Sequence, residues 1–263
     1  MKVLLQNVNA LYHYKDLLFT WAYRIIRGRY QQSILGGLWA ILVPTATALI
    51  FSVIFTFFIP VNTGDVPYLV FSYTAMVPWT LFSASITDMV DSLTGNMNLV
   101  SKIYFPREIL PIASLLARLV DALIAFILLA ILMWYFGMQV KVDGLLFLPF
   151  VLLIQISLAL GIGFIGGALN VFYRDMRHVF VLGLQLWFYA SPIVYPVSVV
   201  PENLKFIYFL NPMAGVLEAY RDVLLYQSLP GTNIFISAGV AVIVLLLGYW
   251  LFKRAEFQFA DII

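Results

Sequence analysis

Two ionisable residues stand inside an otherwise apolar run. Arg118 and Asp121 interrupt the 28 residues Ile109–Phe136 at i, i+3 spacing, which puts them on one helix face where they can pair. Charges inside a membrane-spanning stretch are costly and usually functional. The pair is therefore either an internal salt bridge or a gating or substrate contact. Asp88 and Asp91 share a face in the same way just past the apolar stretch Tyr68–Thr87, and there they mark the exit of a helix into water. The other chemistry is notable for its absence. No G-x-x-x-x-G-K-[ST] occurs, so the chain cannot itself cradle ATP phosphates in a P-loop. There is no H-E-x-x-H and no G-x-S-x-G, and the absence of cysteine removes disulfides, thiolate catalysis and Cys-based metal sites together. Only His13 and His178 remain as histidines, and His178 beside Arg177 reads as an interfacial side chain. No catalytic residue, metal site or cofactor bound by this chain is expected.

Aromatic residues supply a different chemistry. Phe51 and Phe55 lie near the end of the first apolar run; Tyr68, Phe71, Trp79 and Phe82 populate the second; Tyr189 and Tyr195 follow much later. Aromatic faces stack on sugar rings, and Tyr and Trp add a polar handle. The same residues also suit an aromatic belt at a membrane interface together with ordinary packing.

The elements that must position these groups follow from composition. Of 263 residues, 63% are hydrophobic and 11% charged, and the mean hydropathy is +0.96. Soluble domains run near ~45–50% apolar and ~25% charged, so the chain is predicted to be an all-α integral membrane protein, a single transmembrane domain over 1–263. Spans are expected at about 36–59, 68–87, 109–136, 145–170, 178–191 and 231–252. The region 192–227 is broken by Pro192, Pro196, Pro201 and Pro212, and its stretch Leu204–Leu217 is too short to cross and too apolar for a solvated loop. It reads as a re-entrant or interfacial hairpin between spans five and six, which implies a cavity or pathway nearby. Residues 11–30 carry Leu11, Tyr14, Leu18, Trp21, Ala22 and Ile25 at helical spacing, the pattern of an amphipathic interfacial helix. With Lys2, Lys15, Arg24, Arg27 and Arg29 ahead of the first apolar run, the N-terminus does not read as a cleavable signal. Six spans with both termini inside place twelve Lys and Arg on inner segments against Lys141, Lys205 and Arg221 outside, as the positive-inside rule requires. A net charge of +2 gives no case for nucleic acid. Gly163 and Gly167 have small-xxx-small spacing, which predicts close helix packing within the chain or across a dimer.

Two inner segments look built for a protein partner. Leu93–Glu108 exposes Leu99, Val100, Ile103, Tyr104 and Phe105 before Pro106 stops it, a pattern that fits a groove on another protein or a helix lying flat on the bilayer. Asn170–Val179 is compact and carries both charges.

Five blocks carry a family signal: RYQQSILGGLWAILVP (29–44), LVSKIYFPREILP (99–111), LNVFYRDMRHV (169–179), LQLWFYASPIVYP (184–196) and LNPMAGVLEAYRD (210–222). In this order and spacing the sequence resembles the membrane subunits of ABC exporters for bacterial surface polysaccharides, the group of O-antigen, capsule and teichoic-acid exporters. The resemblance covers nearly the whole chain. It implies six spans, an interfacial helix, re-entrant helices, a homodimer forming a continuous channel, and two copies of a separate ATPase that binds ATP and Mg. By the resemblance the 93–108 loop is a coupling helix, with Leu99, Ile103, Tyr104, Phe105, Arg107 and Glu108 as ATPase-coupling residues, and Tyr173, Arg174 and Asp175 form a second contact. The expected function is then the permease of an ATP-driven exporter of a lipid-linked polysaccharide in the bacterial cytoplasmic membrane, not an enzyme in its own right. Phe51, Phe55, Tyr68, Phe71, Trp79, Phe82, Tyr189 and Tyr195 would line the pathway. Arg24, Arg27 and Arg29 either attract the pyrophosphate of a lipid carrier or anchor topology and anionic lipid. Two rival readings are an ABC exporter of small hydrophobic compounds and a membrane enzyme acting on lipid-linked sugars. The second should show clustered carboxylates or histidines, and the sequence has no such cluster.

Overall fold

The computed structural model describes residues 12–31, 33–103, 105–139 and 141–259, and every regular element among them is a helix. The first is α1 (Lys15–Tyr30), which buries only Trp21 and Ala22 and packs on α5. α2 (Trp39–Val53) continues into a wider turn over Ile54–Phe58. Then come α3 (Tyr68–Ser92), the short α4 (Met97–Lys102), α5 (Ile109–Tyr135), the single turn α6 (Val142–Leu145) and α7 (Leu148–Phe172). The chain ends with α8 (Met176–Tyr189), α9 (Glu202–Tyr208), α10 (Pro212–Leu224) and α11 (Asn233–Ala255).

Among the described residues five helices are long and apolar enough to cross a membrane: Gly36–Phe58, Tyr68–Ser92, Ile109–Tyr135, Asp143–Phe172 and Asn233–Gln258. They fall on five of the six spans expected from sequence. The expected span at 178–191 is α8, whose 14 residues reach about 21 Å, short of a hydrocarbon core of about 30 Å. α3 also runs to Ser92, beyond its expected end at 87, so Asp88 and Asp91 belong to the helix and do not mark its exit into water.

α3 is the hub. It is buried along most of its length and touches α2, α5, α7, α8 and α10. Gln155 of α7 reaches across to donate to the Pro78 carbonyl at 2.8 Å. Small residues set the α7 contacts. A Cβ on Gly163 would strike the Met89 side chain, and one on Gly167 would lie 3.2 Å from the Met89 carbonyl, so this glycine pair packs within the chain against α3. On another face of α7, Gly161 meets Gly248 of α11 backbone to backbone: a Cβ on Gly248 would strike the Gly161 carbonyl. The α7–α11 pairing is the most extensive between described helices.

The segment after α8 is pinned against the middle of α3. Asn211 caps α10 by accepting from the Met213 N–H at 3.0 Å, and it also accepts from the Trp187 indole N–H at 2.7 Å. Its amide donates to the Ala190 carbonyl and to Ser191 Oγ at 3.1 and 3.0 Å. Trp187 packs edge-on against Trp79 and Phe82 in the middle of α3, so α10 begins level with that middle. α10 then rises to Gly144, where Val223 packs. Arg221 is buried, with its guanidinium 3.6 Å from the Phe71 ring centre, and it donates to the Pro192 and Ile193 carbonyls at 2.6 and 2.8 Å. The Tyr68 hydroxyl holds the next carbonyl, Val194, at 2.6 Å.

Candidate functional site

Three constellations emerge, and the first lies at the end of the bundle where α3, α7 and α8 meet. Helix α3 ends at Ser92, the chain turns through Thr94–Asn96 into α4, and the α7–α8 connection at 173–175 comes alongside. Asn170 ties them: its side-chain amide donates to the Val90 carbonyl at 2.9 Å and to Thr94 Oγ1 at 3.0 Å. Arg177 pairs with Asp91 at 3.2 Å. Between the two loops lies a groove of about 300 Å³ lined by Asp91, Thr94, Met97, Asn170, Arg174 and Arg177. Thus the two segments that the sequence offered as separate partner contacts share one face.

The residues expected there divide by burial. Ile103 (57% exposed), Tyr173 (64% exposed), Arg174 and Asp175 face outward, with Lys102 and Asn98 beside them. Leu99 is half-buried against the core. Phe105 and Glu108 are buried, and Arg107 is half-buried with its guanidinium on the Glu256 carbonyl. All three are engaged inside the chain, and Phe105 and Glu108 present no exposed surface. Tyr104 lies outside the described residues.

The second constellation enlarges the Arg118–Asp121 pair into a four-membered ring. Arg118 donates to both oxygens of Asp88, at 2.6 and 2.9 Å, and to Asp121 at 3.2 Å. Arg29 of α1 pairs with Asp88 at 2.8 Å and also with Asp121. The Tyr30 hydroxyl donates to Asp121. All four charged side chains are only 13–25% exposed. Burial, with the Asp121 carboxylate adding to it, pushes the Tyr30 phenol up to about 12, so it stays a donor throughout the physiological range. The ring joins α1, α3 and α5 and is charge-neutral. Arg29, offered by the sequence as a phosphate ligand, is committed to two carboxylates. Arg24 and Arg27 remain exposed on α1, the former stacked 4.6 Å from the Trp21 ring centre.

The third is a groove of about 540 Å³ between α2, α3 and α8. Phe51, Trp79, Phe188 and Tyr189 give it aromatic walls, Thr47, Ser83, Thr87 and Gln185 give it hydroxyls and an amide, and Arg118 stands at its edge. Of the expected pathway residues, Phe51, Trp79 and Tyr189 line it. Phe55 and Tyr68 extend the row of stacked rings, at centroid spacings of 6.0 Å from Phe51 to Phe55 and 5.6 Å from Phe55 to Tyr68. Tyr195 is half-buried; its hydroxyl donates to the Tyr189 carbonyl and accepts from Tyr208, each at 3.1 Å. Phe71 and Phe82 are fully buried under Arg221 and Trp187, so they pack the core and do not form wall.

A profile of the ABC-2 type transporter family matches residues 16–225. The chain belongs to the ABC-2 type transporter family. It is similar along nearly its whole length to the O-antigen export system permease protein RfbA of Myxococcus xanthus, with 29% identity over 98% of this chain and 99% of that protein. The RfbA protein of Klebsiella pneumoniae is 28% identical over 94% of this chain and 95% of its own length. The polysialic acid transport protein KpsM of Escherichia coli is 28% identical over 89% of this chain and 91% of its own. In this ABC-2 transporter the matched region holds all three constellations, while α11 lies beyond it. Sequence reasoning missed Asp88 and Arg29 as ring members and Phe188, Ser83, Thr87 and Gln185 as groove residues. The i, i+3 spacing of Arg118 and Asp121 was the one signal of the ring, because its other half depends on which helices become neighbours.

Proposed function

We propose that the chain is the channel-forming permease of an ATP-driven exporter that moves a lipid-linked surface polysaccharide, O-antigen-like or teichoic-acid-like, across the bacterial inner membrane. In this reading it works as a homodimer with two copies of a separate ABC ATPase, and both termini are cytoplasmic. The observation that carries the proposal is the shared face of the two loops, seated at the end of the helix α3 that also forms a wall of the aromatic and hydroxyl-lined groove. A push on that face is delivered to the wall of a groove whose lining suits sugar rings. The groove lies open along α8, whose Val181, Leu182, Leu186 and Tyr189 are exposed, and a second copy set against it would close a channel. The depth of Asn211 supports a re-entrant course for 192–227. The names of the RfbA and KpsM relatives support the polysaccharide class.

The test is mass spectrometry of proteins co-purifying with a tagged copy from its native membrane in mild detergent. The expected result is a Walker-motif ATPase in comparable amount. Absence of any such ATPase across several gentle detergents overturns the proposal.

A further inference from the structure

The segment that leads from the exposed loop into α5 is fastened to a helix far away in sequence. Glu108 is fully buried, and its Oε2 accepts from Lys253 Nζ of α11 at 2.8 Å. Lys253 also donates to Glu256 at 2.8 Å. The backbone N–H of Arg107 donates to the other Glu256 oxygen at 3.2 Å, and the Arg107 guanidinium holds the Glu256 carbonyl. Around this network Phe105, Phe164, Phe252 and Phe259 form a buried aromatic cluster, with ring centroids 5.1 Å apart for Phe164–Phe252 and 5.5 Å for Phe252–Phe259.

We propose that Lys253 and Glu256 are positioning residues of the coupling step: with Glu108 they form a clamp that delivers displacement of the α4 loop into α11. The inference rests on the permease reading above. Its physical basis is the route that the clamp opens. α5 follows Glu108 directly and receives the motion through the chain, as α3 does at the other end of the loop. The clamp adds α11, and α11 cannot slide independently of α7, because Gly161 and Gly248 bring the two backbones into contact. The end of α7 is the second exposed loop, Tyr173–Asp175. Both loops of the shared face therefore bear on the α7–α11 pair, one through the chain and one through the clamp. A buried ion pair adds little net stability over apolar side chains of the same volume, whereas its hydrogen bonds fix direction and distance. Glu108 also keeps Oε1 buried with no hydrogen-bond partner, an expense that packing alone does not explain.

The test compares Lys253→Met, Lys253→Arg and Glu256→Gln in the complete permease–ATPase complex reconstituted in vesicles, reading ATPase co-purification, ATP hydrolysis and polymer exported per ATP. Lys253→Met should retain its ATPase and continue to hydrolyse ATP while export per ATP falls at least tenfold. Lys253→Arg, whose guanidinium can serve both carboxylates, should recover at least half of the coupling. Glu256→Gln, which leaves the Glu108–Lys253 pair in place, gives an intermediate loss and decides the matter should Lys253→Met fail to accumulate. Unchanged export per ATP in a folded Lys253→Met complex overturns the proposal. So does a fall in export that only tracks loss of folded protein across all three variants. Failure of the unsubstituted chain to capture an ATPase overturns the permease reading instead.

Discussion

Replacing Arg118 by Met tests whether the four-membered ring holds the bundle together. The guanidinium makes three charge-assisted bonds, at 2.6, 2.9 and 3.2 Å. Such bonds contribute ~1.5–3 kcal/mol each when buried. The ring is partly solvated and the third bond is long, so about 1 kcal/mol apiece is the sound figure, giving ~3 kcal/mol in all. That meets the lower edge of the ~3–5 kcal/mol measured when one partner of a buried ion pair is removed. A surface pair would lose only ~0–1 kcal/mol. At ~2–4 °C per kcal/mol for a chain of this size, Tm should fall by ~6–12 °C, read by tryptophan fluorescence of the purified protein in detergent. Arg29→Met supplies the second arm of a cycle. Either arginine alone still contacts both carboxylates and leaves the site at a net charge of −1, but with both gone Asp88 and Asp121 face each other without a cation. The double variant should therefore lose more than the sum of the single losses, by ~1 kcal/mol or more. A drop below 2 °C for Arg118→Met, or strict additivity in the cycle, would refute the ring as a unit.

Other outcomes follow from single contacts. Gly248→Ala drives a Cβ into the Gly161 carbonyl and should destabilise by ~2–4 kcal/mol, whereas Gly239→Ala, with open space around its Cβ, should be neutral or stabilising by ~0.5–1 kcal/mol; comparable Tm values for the two would contradict the close crossing. Ile103→Asp should leave Tm within 2 °C and weaken ATPase co-purification by roughly tenfold, as a central interface contact does. Phe105→Ala, at 4% exposure, should instead lower stability by ~3–5 kcal/mol, so an export defect there reports folding before coupling. Tyr189→Ala, 59% exposed on the groove, should keep Tm and slow export; full export with normal expression would remove it from the pathway.

The long spans were legible because periodicity hardly matters to them: a charge-free run of about 20 residues is enough to name a helix. Their ends were less legible. Asp88 looked like the end of a helix because a carboxylate in an apolar run normally needs water, and here two arginines from α1 and α5 stand in for water. Arg221 counted as an outer charge for the same reason, yet it lies buried on two backbone carbonyls and an aromatic face. The loop residues were found as a set but could not be sorted, since Phe105 and Ile103 are two apolar residues on one short segment and only packing against helices distant in sequence, α7 and α11 among them, buries one of them. Hydropathy alone fails in these cases because each depends on a partner more than 25 residues away in the chain.

The two ion networks tie the helices of the bundle unequally. One joins α1, α3 and α5; the other joins the start of α5 to α11, which is locked to α7. α2 and α8 belong to neither. α2 buries only Pro44 and Ala48, and α8 buries only Leu184. Elements with few buried contacts open at lower free energy than the core to which they are attached. The groove lies between these two helices and the wall of α3. Widening it through α8 requires repacking of Phe51 and Trp79 against Phe188, rings 5.9–6.1 Å apart, and of Trp187 against Trp79 and Phe82, while every charge-assisted bond in both networks stays in place. Aromatic contacts of this kind contribute ~0.5–1.5 kcal/mol each beyond their buried area, against several for a buried ion pair broken on one side. Opening the groove therefore disrupts aromatic contacts and leaves both ion networks whole.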